Sequence, residues 1–142
     1  MPRNVYSEIH LHYIWHTKRS RFFIKPETER MVHDIIRKRA SGDDVVVNAI
    51  GGTSNHIHLA VTIPPTIEPS TWIGQVKGGS SHDINEQIPS MGEAFGWQRG
   101  YGVVSFGSKA LPWVVGYIQN QKRHHDQETW EERLEQITRQ DP

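Results

Sequence analysis

Asn55-His56-Ile57-His58-Leu59-Ala60-Val61-Thr62-Ile63 is the stretch on which the reading of this chain turns. A β-strand sends successive side chains to opposite faces. Ile57, Leu59, Val61 and Ile63 therefore share the face predicted to meet a core, and His56 and His58 share the other, predicted to face out. Two neutral imidazoles pointing the same way supply two of the three protein ligands that a catalytic metal site commonly uses. The bland alternative is a pair of surface histidines on an amphipathic strand. A second such pair, His10-Leu11-His12 with His16 beyond it, lies in another alternating segment, so spacing alone does not say which pair would hold a metal.

Reading outward from this strand gives an order of elements. Ile9, Leu11, Tyr13 and Trp15 alternate across roughly Ser7 to His16 and predict a first strand. Pro26-Glu27-Thr28-Glu29 opens a helix whose apolar stripe is Met31, Val32, Ile35 and Ile36, and Ser41-Gly42 ends it. The β-branched run Val45 to Ile50 ends at Gly51-Gly52, and a short turn through Thr53-Ser54-Asn55 leads into the His56 strand as an antiparallel hairpin. Pro64-Pro65 closes it. Ser70 or Thr71 is expected to cap a second helix carrying Trp72, Ile73, Val76 and Ile84, with Gly78-Gly79 as a weak point. A loop with Pro89, Gly92 and Gly96 precedes a last strand over Trp97 to Phe106, whose glycines suggest a bulge or a close approach by another backbone.

The order is βαββαβ. It predicts an α+β, ferredoxin-like sandwich: a four-stranded antiparallel sheet with two helices on one face and the first and third strands at its centre. The His56 strand is then a central one.

Length and composition bound the rest. At 142 residues one domain is expected, with a core over about 5–107 and a helix and tail over about 108–142. No apolar run nears the ~20 residues that cross a bilayer, and the first residues lack the apolar centre of a signal peptide, so a cytoplasmic protein is expected. The chain has no cysteine, which leaves nitrogen and oxygen donors for any metal. Sixteen basic residues balance sixteen acidic ones, so total charge gives no argument for a nucleic-acid partner. The distribution is less even. Lys18, Arg19, Arg21 and Lys25 cluster after the first strand beside Phe22 and Phe23, whereas acidic residues gather between Asp126 and Glu135. A basic loop bearing aromatics can hold a phosphate backbone and stack bases, or be merely solvated.

A further helix is expected from Ser108 or Leu111-Pro112 through Tyr117, Ile118, Gln121 and His124, with an amphipathic tail beyond it carrying Trp130, Leu134 and Ile137. Tyr117 and Gln121, four residues apart, share a helix face, and His124 follows one turn later. The alternative is that Tyr117 packs with Trp113 and Ile118 while Gln121 is solvated. Gly116 costs about 1 kcal/mol inside a helix and is expected to mark where the tyrosine helix begins in earnest.

At this point the chain resembles a family, the small single-tyrosine HUH transposases of hairpin-bounded insertion sequences and their relatives associated with repetitive extragenic palindromes. The resemblance rests on Asn55-His-Ile-His-Leu-Ala-Val61, Val76-Lys-Gly-Gly-Ser-Ser81, Trp97-Gln-Arg-Gly-Tyr-Gly102 and Tyr117-Ile-Gln-Asn-Gln121, in that order. It implies cleavage and rejoining of single-stranded DNA by transesterification, with Tyr117 as nucleophile and a 5′-phosphotyrosine intermediate. It also implies a divalent metal, Mg²⁺ or Mn²⁺, on His56, His58 and Gln121, with His124 and His125 as rivals to Gln121. His10 and His12 then fall on the neighbouring strand as candidates to support the metal ligands from behind, and His124, on the tyrosine helix, is a third candidate for that role. The resemblance further implies a DNA hairpin as partner and a homodimer in which active sites can be shared between subunits. Candidate DNA contacts are Lys18, Arg19, Arg21, Lys77 and Arg99. Two other readings stand beside it. A histidine-triad nucleotide hydrolase would need a third histidine where Ala60 stands, and a domesticated, non-catalytic DNA-binding protein would keep the fold without turnover.

Overall fold

A computed structural model describes residues 4–89, 95–122 and 131–137. Four strands form one antiparallel sheet: β1 (Ile9–His16), β2 (Val46–Thr53), β3 (His56–Ile63) and β4 (Gly102–Phe106), in the spatial order β2-β3-β1-β4. The two histidine-bearing strands are central and adjacent, as the βαββαβ order predicted. Their register sets His16 opposite His56, Ile14 opposite His58 and His12 opposite Ala60.

Helices α1 (Pro26–Ala40) and α2 (Pro69–Gln87) cover one face. Between them and the sheet lies the main core, with Leu11, Tyr13 and Trp15 from β1, Ile57, Leu59 and Val61 from β3, and Val32, Ile36, Ile73 and Val76 from the helices. Ile57 and Leu59 are wholly enclosed, each contributing about 1.5–3 kcal/mol relative to exposure. Met31, expected on the stripe of α1, is exposed instead, and Thr28 and Ala40 complete that face. Helix α2 begins at Pro69 rather than after Ser70 or Thr71, because Glu68 takes the capping position and its carboxylate accepts from both hydroxyls at 2.9 Å. It runs through Gly78-Gly79 without a break.

The opposite face, predicted to be open, is covered. Helix α3 (Leu111–Gln119) lies across it, packing Val114 and Ile118 on Ala49 and Ala60. Gly51 permits this: a Cβ there would strike the Ile118 carbonyl. The short helical turn α4 (Glu132–Glu135) returns to the same face, with Leu134 buried and the Arg133 guanidinium donating to the Ser105 carbonyl at 2.5 Å. A Cβ on Gly102 would collide with the Gln136 carbonyl oxygen, so the glycine of β4 marks the predicted close approach of another backbone. β4 itself is shorter than expected, since Gly100 adopts a positive φ of 92° and Trp97 makes only an isolated bridge with Thr17. The tyrosine helix starts at Leu111, not at Gly116, which sits inside it.

Candidate metal centre and nucleophile

Each central strand contributes histidines to the covered face, and α3 and α4 close over them. His56 and His58 are 4% and 0% exposed. Burying two imidazoles is costly unless their nitrogens are satisfied, and both are held from behind. His58 Nδ1 lies 2.8 Å from His12 Nε2. His56 Nδ1 lies 2.8 Å from Asn55 Oδ1 and 2.9 Å from Thr53 Oγ1. Asn55 donates its amide N–H to the Ser20 carbonyl, which turns Oδ1 toward the ring. His56 therefore carries its proton on Nδ1 and presents a lone pair at Nε2.

The two forward nitrogens converge. Glu135 Oε1 lies 3.2 Å from His58 Nε2 and 3.7 Å from His56 Nε2, and Gln121 Oε1 lies 3.3 Å from His56 Nε2. Imidazole, carboxylate and amide donors facing one point, with the imidazoles anchored through their rear nitrogens, are the arrangement a metal-binding histidine pair requires. One donor atom from each of His56, His58 and Glu135 lies within 4.8 Å of the others. The donor set fits a divalent ion that accepts both imidazole nitrogen and oxygen donors.

Tyr117 stands at the edge of this cluster. Its ring stacks on Trp113 with centroids 5.5 Å apart and meets His58 at 6.0 Å. Its hydroxyl donates to Glu135 Oε2 at 2.5 Å and accepts from the Glu131 N–H at 2.7 Å. Burial and then this carboxylate contact push the phenol pKa well above its ordinary value. Burial would raise the Glu135 pKa, but the His58 and Tyr117 hydrogen bonds and the nearby imidazoles outweigh it and bring the carboxyl down to about 2.

The other predicted residues divide. Helix α3 ends at Gln119, yet Gln121 still reaches the cluster, its amide N–H toward the Tyr117 carbonyl at 3.4 Å. His12, 1% exposed, lies against the rear nitrogen of His58, and burial followed by the field of His58 lowers its pKa to about 3. His10 is turned elsewhere, between Thr62 Oγ1 and Ser108 Oγ at 2.8 Å each. Lys18, Arg19, Arg21 and Arg99 are exposed. Lys77 is not a free cation for DNA, because its ammonium donates to the Gln98 and Gly100 carbonyls at 2.9 and 2.7 Å. His124 and His125 lie outside the described residues. Glu135 is the site residue that sequence reasoning did not single out, and its sequence signal is its place among the apolar Trp130, Leu134 and Ile137 of an amphipathic tail.

Residues 5–121 match the family described as IS200-like transposases. The chain belongs to that family. The transposase for insertion sequence element IS200 of Salmonella typhimurium is 29% identical over 114 residues, 78% of this chain and 74% of its own, and its Salmonella typhi counterpart matches equally. Among solved structures, a Deinococcus radiodurans protein assigned as a transposase superposes with a TM-score of 0.70 at 21% identity, covering 85% of this chain and 96% of that one. A REP-associated tyrosine transposase bound to a REP hairpin superposes with a TM-score of 0.62 at 16% identity, covering 92% and 75%. At these identities the two structures establish the α+β fold. Ala60, where a histidine-triad hydrolase would need its third histidine, packs under α3.

Proposed function

We propose that this IS200-like transposase cuts and rejoins single-stranded DNA through a covalent bond to Tyr117. The observation that carries the reading is the meeting, in one chain, of two rear-anchored histidines, Gln121 and a buried phenol on one face of the sheet. His56, His58 and Gln121 would hold a divalent ion, and Glu135 Oε1 faces the same histidine nitrogens until DNA displaces it. Such an ion supplies Lewis-acid charge neutralisation to a phosphodiester.

In the reaction, the Tyr117 oxygen bonds to phosphorus and the bond from phosphorus to the 3′-oxygen breaks. The phenolic proton leaves and the departing 3′-oxygen takes one up, giving a 5′-phosphotyrosine and a 3′-hydroxyl. Attack by a different 3′-hydroxyl reverses the step and reseals the strand without a nucleotide cofactor. Tyr117 needs help to ionise, since burial raises its pKa. The buried setting that raises it also strengthens every charge contact around it.

Glu135 stands where the phosphate must enter. Its two oxygens bridge the histidine pair and the Tyr117 hydroxyl, the same two partners that a scissile phosphate has to touch. Cleavage therefore requires this carboxylate to give way. The recognition of a hairpin, seen in the REP-associated relative, extends to this chain as part of the proposal, with Lys18, Arg19, Arg21 and Arg99 as contacts. A homodimer in which subunits can share active sites belongs to the proposal as well.

The test is incubation with Mg²⁺ or Mn²⁺ and single-stranded DNA from the flanks of its gene, followed by a denaturing gel. The expected result is a protein–DNA band lost with chelator and in Tyr117→Phe. Binding to a hairpin without any such band would leave a non-catalytic DNA-binding protein as the better reading.

A further inference from the structure

The tip of the β2–β3 hairpin and the basic loop after β1 enclose a cavity of about 670 Å³ that opens onto His56 and Glu135. This size falls within the ~300–1,000 Å³ of small-ligand sites. Resting on the cleavage reading above, we infer that this cavity receives the nucleobase of the nucleotide adjoining the scissile phosphate, stacked on Phe22.

The two phenylalanines of the loop part company. Phe23 packs inward, edge-on to Phe95 at 5.3 Å. Phe22 is 71% exposed at the cavity rim, a position that apolar burial in the folded chain does not explain. Ile24 and Pro26 make an apolar floor, and Ser54 and Asn55 bring polar groups to one wall. A flat, apolar-faced group with hydrogen-bonding edges suits such walls, and a nucleobase has that character.

Charge and continuity choose among flat ligands. Lys18, Arg19, Arg21 and Lys25 are all exposed on the same loop, so the approach favours a polyanion. His56 is shared: its forward nitrogen belongs to the candidate metal centre while its ring, stacked on His16 at 5.2 Å, also lines the cavity. A strand whose phosphate lies at His56 and Tyr117 must place a neighbouring base beside that wall. The loop is held in shape for this. Arg19 and Ser20 keep positive φ values of 57° and 53°, and the Asn55 side chain ties the Ser20 carbonyl to the His56 ring.

The experiment uses the full chain carrying Tyr117→Phe, so that DNA is bound and not cut, and fluorescein-labelled single strands in which one abasic site is moved along the sequence. Fluorescence anisotropy gives each affinity. One position is expected to weaken binding about five- to 150-fold when abasic, the range of base–aromatic stacking. At that position Phe22→Ala should cause a similar loss, the abasic site should then add almost nothing, and Phe22→Trp should restore the dependence. The cut phosphate, mapped from the released product of the Tyr117 enzyme, should adjoin that position. Independent, multiplying losses from Phe22→Ala and every abasic site would overturn the inference, as would coupling at a base remote from the cut. If the Tyr117 enzyme forms no covalent adduct, the cleavage reading fails by itself, and coupling between Phe22 and one abasic position still decides whether a base occupies the cavity.

Discussion

Replacing Glu135 by alanine should make this protein a faster DNA-modifying enzyme. The carboxylate holds the Tyr117 hydroxyl with one oxygen, at 2.5 Å, and faces the His58 and His56 nitrogens with the other. A hydrogen bond to a charged group contributes about 1.5–3 kcal/mol. A phosphate that must displace the carboxylate loses at least one such contact, so the competent form is depleted by roughly 10- to 100-fold and the apparent affinity for DNA falls by the same factor. Glu135→Ala removes that competition.

The assay is covalent-adduct formation at a DNA concentration below saturation, with Mn²⁺ present, read by denaturing gel over time. Wild type and variant should differ by about ten- to hundredfold, because each ~1.4 kcal/mol is a decade, and the difference should shrink as DNA saturates. Glu135→Gln, which keeps shape but loses charge, should fall between the two. Adduct formation that drops in Glu135→Ala at every DNA concentration would refute the reasoning. Glu135 would then be needed as a metal donor or as the acceptor of the phenolic proton, not displaced by the substrate.

Four further outcomes are expected. Tyr117→Phe should abolish the adduct while leaving hairpin affinity, measured by anisotropy, within a few-fold of wild type. Mn²⁺ at a hundred times its Kd should raise the melting temperature by about 10 °C, from roughly 2.7 kcal/mol of linkage in a domain of this size, and His58→Ala should erase that shift in a thermal melt. His12→Phe should weaken Mn²⁺ binding about 10- to 100-fold by calorimetry, through loss of the contact to His58 Nδ1, with a much smaller change in the metal-free melt. Gly102→Val should cost about 1–3 kcal/mol in chemical denaturation, since its side chain would meet Ile14 and the Gln136 carbonyl, and should also lift adduct formation by loosening the segment that carries Glu135.

The sheet was legible because its evidence is local. Alternation in β1 and β3 states which side chains share a face, and the order of strands and helices leaves few ways to arrange them. That His56 and His58 lie together follows from two residues of sequence. That they are buried does not, because the cover comes from α3, whose small-residue seat at Gly51 and Ala60 is spread over β2 and β3. The i, i+4 spacing brought Gln121 toward Tyr117 even though the regular helix stops at Gln119. Lys77 shows the opposite case: a lysine beside glycines reads as a phosphate contact, but its carbonyl partners lie some twenty residues away and no periodicity announces them. Glu135 was hidden for the same reason, 77 residues from the His58 it faces.

The zero net charge takes on a different meaning once Glu135 is placed. Residues 1–122 carry 13 basic and 10 acidic side chains, whereas 123–142 carry 3 and 6. The sum is neutral because a mildly basic sheet-and-helix body is joined to an acidic tail, and one carboxylate of that tail lies against the Tyr117 hydroxyl. Total charge thus reports poorly on a partner when one part of the chain offsets another. Tail and DNA are rival anions for a single site, so the tail's acidity sets how strongly a strand must bind before the chemistry starts. With the exposed cations Lys18, Arg19 and Arg21 as the proposed contacts outside the site, that part of DNA affinity should fall steeply with salt. Exchange of Glu135 for phosphate swaps one buried anion for another and should respond far less. Salt titration of binding and of adduct formation in wild type and Glu135→Ala therefore separates the two: the binding slopes should coincide, while the difference in rate persists.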